Sequence, residues 1–159
     1  QIGPVVAERQ RDRIEGFLDA GKSAGARAVA GGGTPGNLEK GWYIEPTVFA
    51  DVTNDMSIAR EEIFGPVLSV IKYDDEADAV KIANDSDYGL CGSVWTADPE
   101  HGAAVGAQVR TGVVAINSAM ILDFNAPFGG FKQSGIGREL GPEGIDPYTE
   151  YQTIILPAG

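Results

Sequence analysis

The first part of the chain alternates apolar and charged residues with the period of a helix. Within residues 8–22, Ile14, Phe17 and Leu18 recur at intervals of three and four residues among many charged side chains. This spacing is typical of an amphipathic helix that packs along one face. The charged side chains of the segment, Arg13 among them, are expected to face mostly water.

The middle of the chain repeats a strand-length apolar run followed by a polar, helix-like segment. The apolar runs are residues 67–73, 90–96 and 113–117. Each of the first two is followed by a segment that opens with an aspartate able to cap a helix, most clearly Asp98 with Pro99 behind it. The order strand, helix, strand, helix, strand implies right-handed crossovers and a parallel sheet, so the sequence predicts an α/β fold.

The regular pattern ends after Ser118. Residues 126–144 are rich in glycine and have neither helical nor strand periodicity over their length. A last β-prone run, residues 148–156, stands alone near the C-terminus. Because it has no sequence neighbour to pair with, we expect it either to join the sheet or to reach another subunit.

Composition narrows the classes of function. The net charge of −11 would repel a phosphate backbone, which argues against a nucleic-acid partner. One cysteine and one histidine are too few for a disulfide framework or a zinc site, so no metal is expected. No apolar run approaches the roughly 20 residues that a membrane span needs, and the first residues contain neither a signal peptide nor a start methionine. We therefore expect a cytoplasmic chain without a membrane partner, beginning within a longer protein.

Two adjacent carboxylates precede a Phe-Gly-Pro turn in the stretch REEIFGPVLSV, residues 60–70. In extended backbone Glu61 and Glu62 point opposite ways, so only one of them can face a given cleft. Two interpretations are open from the residues alone. The pair is either a solvated surface feature, or one carboxylate accepts hydrogen bonds from a sugar diol while Phe64 offers its ring to a flat heterocycle.

Three other features could be taken for catalytic or ligand-binding groups and are interpreted as structural. Cys91 lies in an apolar run without a neighbouring base, which favours a small buried hydrophobic residue. His101 falls in the first turn of the helix capped by Asp98, a poor place for a cation, and is expected at the surface. The segment GIGREL, residues 135–140, lacks the third glycine and the preceding strand of a dinucleotide-binding motif, so it is interpreted as a surface turn.

Seven stretches together resemble the C-terminal part of the NAD(P)-dependent aldehyde dehydrogenase superfamily. In chain order they are GWYIEPTVF, MSIAREEIFGPVLSV, ANDSDYGL, VWTADP, VVAIN, APFGGFKQSGIGRELG and YTEYQTIIL. The resemblance runs from about Gly3 to Leu156 and covers about the last third of a family member. It implies the parallel-sheet part of the catalytic domain with crossover helices in residues 1–147, and a C-terminal oligomerisation strand in residues 148–159 that would make a homo-oligomer.

The resemblance also implies roles for individual residues. Glu62 is similar to the family residue that binds the nicotinamide ribose hydroxyls of NAD or NADP, and Phe64 to the ring that packs near the nicotinamide. Gln10 is similar to a further ribose-side contact. Phe128 resembles an aromatic residue that lines the substrate tunnel. The apolar residues of the neighbouring loop resemble the segment that shapes the mouth of the tunnel: Met120, Ile121, Leu122 and Phe124. An aliphatic or aromatic aldehyde is therefore expected over a highly charged one.

The family reaction needs groups that lie upstream of the matched region. In the family, a cysteine thiolate attacks the aldehyde, hydride passes to NAD(P)+, and water activated by a glutamate hydrolyses the thioester. Cys91 lies after EEIFGP and so does not match the nucleophile, and we expect no catalytic residue in this chain. The sequence predicts a fragment of an aldehyde dehydrogenase that is inactive alone. The alternative is a non-catalytic assembly module derived from such an enzyme.

Overall fold

A computed structural model describes residues 2–38, 40–120 and 122–159, which form two compact units, Gln1–Asp78 and Ala79–Gly159. The first unit contains α1, β1, β2, α2 and β3, at Glu8–Ser23, Arg27–Ala30, Thr47–Ala50, Ser57–Arg60 and Val67–Ser69. Helix α3, Glu76–Asn84, spans the boundary. The second unit contains β4, β5, α4, β6, β7 and a 3-10 helix, at Tyr88–Gly89, Cys91–Val94, Pro99–Gly106, Val113–Ile116, Phe131–Lys132 and Pro142–Tyr148.

The first unit packs helix α1 onto a three-stranded sheet. Strand β2 lies in the centre, antiparallel to β1 and parallel to β3. The predicted helical stripe is confirmed, because Ile14 and Leu18 are buried in the core together with Phe49 of β2. Burial of these apolar side chains is what fixes the helix on the sheet.

The second unit contains the predicted strand, helix, strand crossover. Strands β5 and β6 are parallel, with Cys91 opposite Val113, and helix α4 connects them. The predicted cap is confirmed, since the Asp98 carboxylate accepts hydrogen bonds from the backbone N–H groups of Glu100 and His101 at 3.0 and 3.1 Å. Pro99 occupies the first turn, where its missing N–H costs nothing.

The α/β class is confirmed, and in the described residues parallel pairing occurs within each of the two units. Strand β3 pairs with β2 inside the first unit, whereas β5 pairs with β6 inside the second. Sequence spacing alone does not show this, because β2 is only four residues long and begins directly after Pro46, a residue type that is rare in central strands.

The C-terminal β-prone run does not join a sheet. Residues 149–159 are all exposed and contain no strand, and the side chain of Tyr151 is 102% exposed. Of the two expectations, pairing within this chain is therefore wrong, and pairing with another subunit stays a prediction, as does the boundary between residues 147 and 148.

A membrane-spanning helix is not found in the described ranges. Every helix there falls short of the length and apolar character that crossing a bilayer requires.

Candidate functional site

Helix α1 holds the loop of residues 61–66 through its side chains. Gln10 Nε2 donates to the carbonyl oxygens of Ile63 and Phe64, at 3.2 and 3.0 Å. Arg13 Nη1 donates to the Ile63 oxygen at 2.6 Å, and Nη2 donates to the Glu62 oxygen at 2.7 Å. We call this pair, Gln10 and Arg13, the α1 clamp. Three consecutive main-chain carbonyls of the loop are thereby fixed to one face of the helix.

The loop presents Phe64 outward in a strained backbone conformation. Phe64 has φ = +57°, in the left-handed region, which costs a residue with a Cβ roughly 1–2 kcal/mol. Phe64 is 74% exposed, whereas the preceding Ile63 is buried in the core. Gly65 follows in close contact with α1, because a Cβ there would lie 2.5 Å from Ile14 Cδ1. The loop is thus anchored on both sides of a ring that is free to contact a ligand.

The two carboxylates of the loop are exposed. A shallow cavity of about 270 Å³ beside them is lined by Glu61, Ile63, Phe64 and Gly65 among others, and Glu62 is outside its lining. Among the described residues, no hydrogen bond or ion pair engages the Glu62 carboxylate. An unengaged carboxylate beside an exposed ring fits a sugar diol joined to a flat heterocycle. These residues therefore suit a nicotinamide nucleotide.

Gln10 lies next to the loop, and its amide nitrogen is committed to main-chain oxygens. A direct ribose contact by Gln10 stays a prediction. Arg13 is the residue that sequence reasoning missed, because a charged helix position was assigned to water. The available signal was the spacing of three between Gln10 and Arg13, which puts both side chains on one helix face.

The predicted tunnel residues come together in the second unit. Met120, Leu122, Phe124 and Phe128 all line one cavity of about 620 Å³, and Ile121 lies outside the described residues. Met120 and Phe124 are exposed, whereas Phe128 is half-buried. The cavity wall is largely apolar, which suits an uncharged substrate portion.

Local hydrogen bonds shape this loop. The Asp123 carboxylate accepts from the Asn125 backbone N–H at 2.9 Å, which makes a tight turn between Leu122 and Phe128. Phe128 then forms an isolated antiparallel bridge with Glu139, with N–H to carbonyl distances of 2.7 and 2.8 Å. The bridge fixes the backbone at the base of the cavity.

The glycine-rich segment after Phe128 lies against the start of strand β6. A Cβ on Gly112 would lie 1.6 Å from the carbonyl oxygen of Gly129, so two main-chain segments touch there. Arg138 fastens the same segment by donating to the carbonyl oxygens of Gly130 and Gly137 at 2.9 and 2.8 Å. The sequence predicted a surface turn at residues 135–140, but this segment is irregular and contains the bridge residue Glu139, and the turn lies at residues 133–134.

Cys91 is exposed, so the prediction of a buried cysteine is wrong. An apolar run does not show which face of its strand is exposed. Exposure alternates along the strand, with Cys91 and Ser93 exposed and Gly92 and Val94 half-buried. His101 is exposed, as expected. In the described part of the chain no group of histidine, cysteine or carboxylate side chains could hold a metal ion.

Known proteins resemble this chain over nearly its whole length. Residues 1–154 match the aldehyde dehydrogenase family. A geranial dehydrogenase of Castellaniella defragrans is 50% identical over 155 residues, which cover 98% of this chain and 32% of that enzyme. A betaine aldehyde dehydrogenase of Rhizobium leguminosarum is 47% identical over 160 residues, covering 100% of this chain and 33% of that enzyme.

Solved structures that resemble this chain are aldehyde dehydrogenases as well. A Mycobacterium tuberculosis aldehyde dehydrogenase in complex with NAD+ has a TM-score of 0.94 and 55% identity, covering 100% of this chain and 33% of that one. An NAD+ complex of a Bacillus cereus aldehyde dehydrogenase has a TM-score of 0.89 and 46% identity, covering 94% of this chain and 30% of that one. The chain thus spans about a third of the length of the relatives it matches. With the family matched over residues 1–154, this chain belongs to the aldehyde dehydrogenase family.

Proposed function

We propose that this chain is the part of an NAD(P)+-dependent aldehyde dehydrogenase that holds the nicotinamide ribose and lines the aldehyde tunnel. The observation that carries the proposal is the meeting of Met120, Leu122, Phe124 and Phe128 around one cavity. These residues were selected from a sequence resemblance and lie within residues 120–128, where most of the loop lines the same cavity together with Val113 of β6. The largely apolar wall of that cavity supports a tunnel.

Each group of residues has a distinct task in this proposal. A bound nicotinamide cofactor supplies the acceptor for the hydride that leaves the aldehyde carbon. The Glu62 carboxylate accepts hydrogen bonds from ribose hydroxyls, and the Phe64 ring packs against the flat heterocycle. The tunnel residues orient the aldehyde and exclude water. This is positioning chemistry, in which a displacement of about 1 Å can cost about 100-fold in rate.

The cofactor is proposed to be NAD+ or NADP+. The Mycobacterium tuberculosis and Bacillus cereus structures are NAD+ complexes, which supports a nicotinamide dinucleotide here. Residues of this chain that are proposed to contact the cofactor, Glu62 and Phe64, face its nicotinamide half, which NAD+ and NADP+ share.

The substrate is proposed to be an aliphatic or aromatic aldehyde. The names of two relatives give a direct comparison, since geranial is apolar and betaine aldehyde carries a quaternary ammonium group. The full-length protein that contains this chain should have a higher kcat/KM for geranial than for betaine aldehyde or a short acidic semialdehyde. Comparable values for all three would contradict an apolar tunnel.

The nucleophile and the general base are proposed to lie outside these 159 residues. The purified chain should therefore not reduce NAD+ or NADP+ when aldehydes are added, whereas the full-length protein should. If the purified chain shows turnover and Cys91→Ala abolishes it, the proposal that the nucleophile lies outside these residues is refuted. Turnover that is insensitive to Cys91→Ala would point to a contaminating enzyme, which repurification would remove.

Oligomerisation through the C-terminal segment is a second proposal, favoured by its exposed apolar side chains. Ile154, Ile155 and Leu156 are each more than three-quarters exposed in the single chain. Such a segment can complete a sheet edge of another subunit. Deletion of residues 148–159 from the full-length protein should lower the mass measured by sedimentation. An unchanged mass would exclude the segment as an assembly element.

A further inference from the structure

Arg13 uses both terminal nitrogens of its guanidinium on the loop that carries the proposed cofactor contacts. Nη1 and Nη2 donate at 2.6 and 2.7 Å to the carbonyl oxygens of Ile63 and Glu62, two consecutive residues. Both acceptors belong to the main chain, so Arg13 holds the path of the backbone and leaves the Glu62 carboxylate for a ligand. The next residue, Phe64, is the one with the left-handed backbone.

We propose that Arg13 is a positioning residue that sets the affinity for the nicotinamide nucleotide by fixing residues 62–64. The proposal rests on the function proposed above for Glu62 and Phe64. Arg13 contacts neither the cofactor nor the aldehyde in this scheme. It acts by holding the turn in which the carboxylate and the exposed ring project from fixed points.

The geometry requires the fork of an arginine. A guanidinium presents parallel N–H donors that can reach two neighbouring carbonyls at once, whereas a lysine ammonium is a point donor on a flexible stem. The guanidinium also lies over the Phe17 ring, 4.7 Å from its centroid, which restricts its orientation. Gln10, one turn earlier, bonds Ile63 and Phe64 and extends the same set of contacts.

Loss of the Arg13 contacts should be visible as greater mobility of the loop in the cofactor-free protein. With Arg13 removed, Gln10 is the remaining side chain among the described residues that bonds carbonyls of this turn, which already holds an unfavourable φ at Phe64. The turn should open more often, and the population that binds the nucleotide should fall accordingly. The expected consequence is weaker binding with little change in the stability of the whole protein.

The test compares three variants of the full-length protein that contains this chain. Arg13→Met removes the donors, Arg13→Lys keeps the charge with a point donor, and Arg9→Met is the matched control on an exposed position of the same helix. Glu-C cleavage after Glu61 and Glu62 without cofactor reports opening of the loop. Titration with NAD+ gives Kd, steady-state rates give KM and kcat separately, and a melting curve gives Tm.

Arg13→Met should speed cleavage after Glu61 and Glu62 and raise the Kd for NAD+, each by about tenfold, equivalent to about 1.4 kcal/mol. KM for NAD+ should rise more than kcat falls, and Tm should stay at the value of Arg9→Met. Arg13→Lys should recover part of both losses.

Unchanged cleavage and Kd in Arg13→Met, or equal changes in Arg9→Met, would overturn the proposal. If Arg13→Met fails to fold, Arg13→Lys becomes the test. A cleavage rate and a Kd for NAD+ equal to those of the wild type would then show that the paired guanidinium donors are not needed. If the wild-type protein neither binds NAD+ nor oxidises aldehydes, the proposed function is refuted, and so is the proposed effect of Arg13 on nucleotide affinity. The cleavage rates still show whether Arg13 holds the loop.

Discussion

Gly112→Ala is expected to destabilise the second unit severely. A methyl group at this position would lie 1.6 Å from the carbonyl oxygen of Gly129 and 2.7 Å from its carbonyl carbon. An ordinary close contact between carbon and oxygen is about 3.3 Å, so the two segments would have to separate by about 1.7 Å. Both are main chain, and no change of side-chain rotamer can relieve the overlap.

The size of the effect follows from what has to move. Overpacking usually costs about 1–3 kcal/mol when side chains can adjust. Here strand β6 and the segment after Phe128 must separate. We therefore expect the free energy of unfolding to fall by at least about 3 kcal/mol, which is at the upper end of the usual effects of single substitutions. On the function proposed above, displacement of Phe128 by more than about 1 Å in the full-length protein should lower kcat/KM by about 100-fold.

Gly137→Ala is the matched control, because a Cβ at Gly137 would meet no atom within 4 Å and its φ is not positive. Urea unfolding followed by circular dichroism gives the free energy of each variant. Hydrogen exchange resolved by peptide then shows whether the loss is confined to residues 112–116 and 128–131. A Gly112→Ala protein within about 0.5 kcal/mol of the Gly137→Ala protein would refute the close packing of these two segments.

Substitutions at three further positions test other contacts. Gly65→Ala places a methyl group 2.5 Å from the buried Ile14 side chain and should lower the unfolding free energy by about 1–3 kcal/mol in urea denaturation; an unchanged value would show that the loop does not pack on α1. Asp98→Ala removes the cap of α4 and should lower the unfolding free energy by about 1 kcal/mol in the same assay. Asp98→Asn should retain most of the wild-type stability, because asparagine also caps helices. Equal losses in the two variants would exclude capping by this side chain. The pKa of the Asp55 carboxyl lies below its ordinary value of 3.8 chiefly because the Thr53 hydroxyl donates to it. Thr53→Val should raise that pKa in an NMR titration, and an unchanged value would contradict the assigned cause. Since the folded pKa is depressed, the stabilisation by Asp55 is present above pH 3.8 and is lost as the pH falls through the folded pKa.

Elements with local sequence signals were predicted well. Helix α1 and the crossover through α4 depend on side-chain periodicity and on the cap at Asp98, which are features of a few neighbouring residues. The proposed tunnel residues were chosen through a family resemblance, and the described ones line one cavity formed largely by the loop that contains them. Periodicity alone would not have selected them, because residues 118–128 have none.

Features that depend on distant residues could not be predicted from the sequence. The partner of β3 is β2, which follows Pro46 and has a short, weak strand pattern. The exposure of Cys91 depends on which face of β5 is covered. The role of Arg13 depends on a loop 49 positions away, and a charged residue on a helix surface carries no local sign of such a partner.

The α1 clamp has a consequence for how the protein folds. Gln10 and Phe64 are 54 positions apart, so their contact can form only after a long loop has closed. Contacts between distant residues tend to slow folding, while helix α1 can form within microseconds from its own sequence. We therefore expect the strained turn at Phe64 to be set late, after helix and sheet have docked. A chain emerging from the ribosome would present its helix long before it presents the proposed nucleotide site.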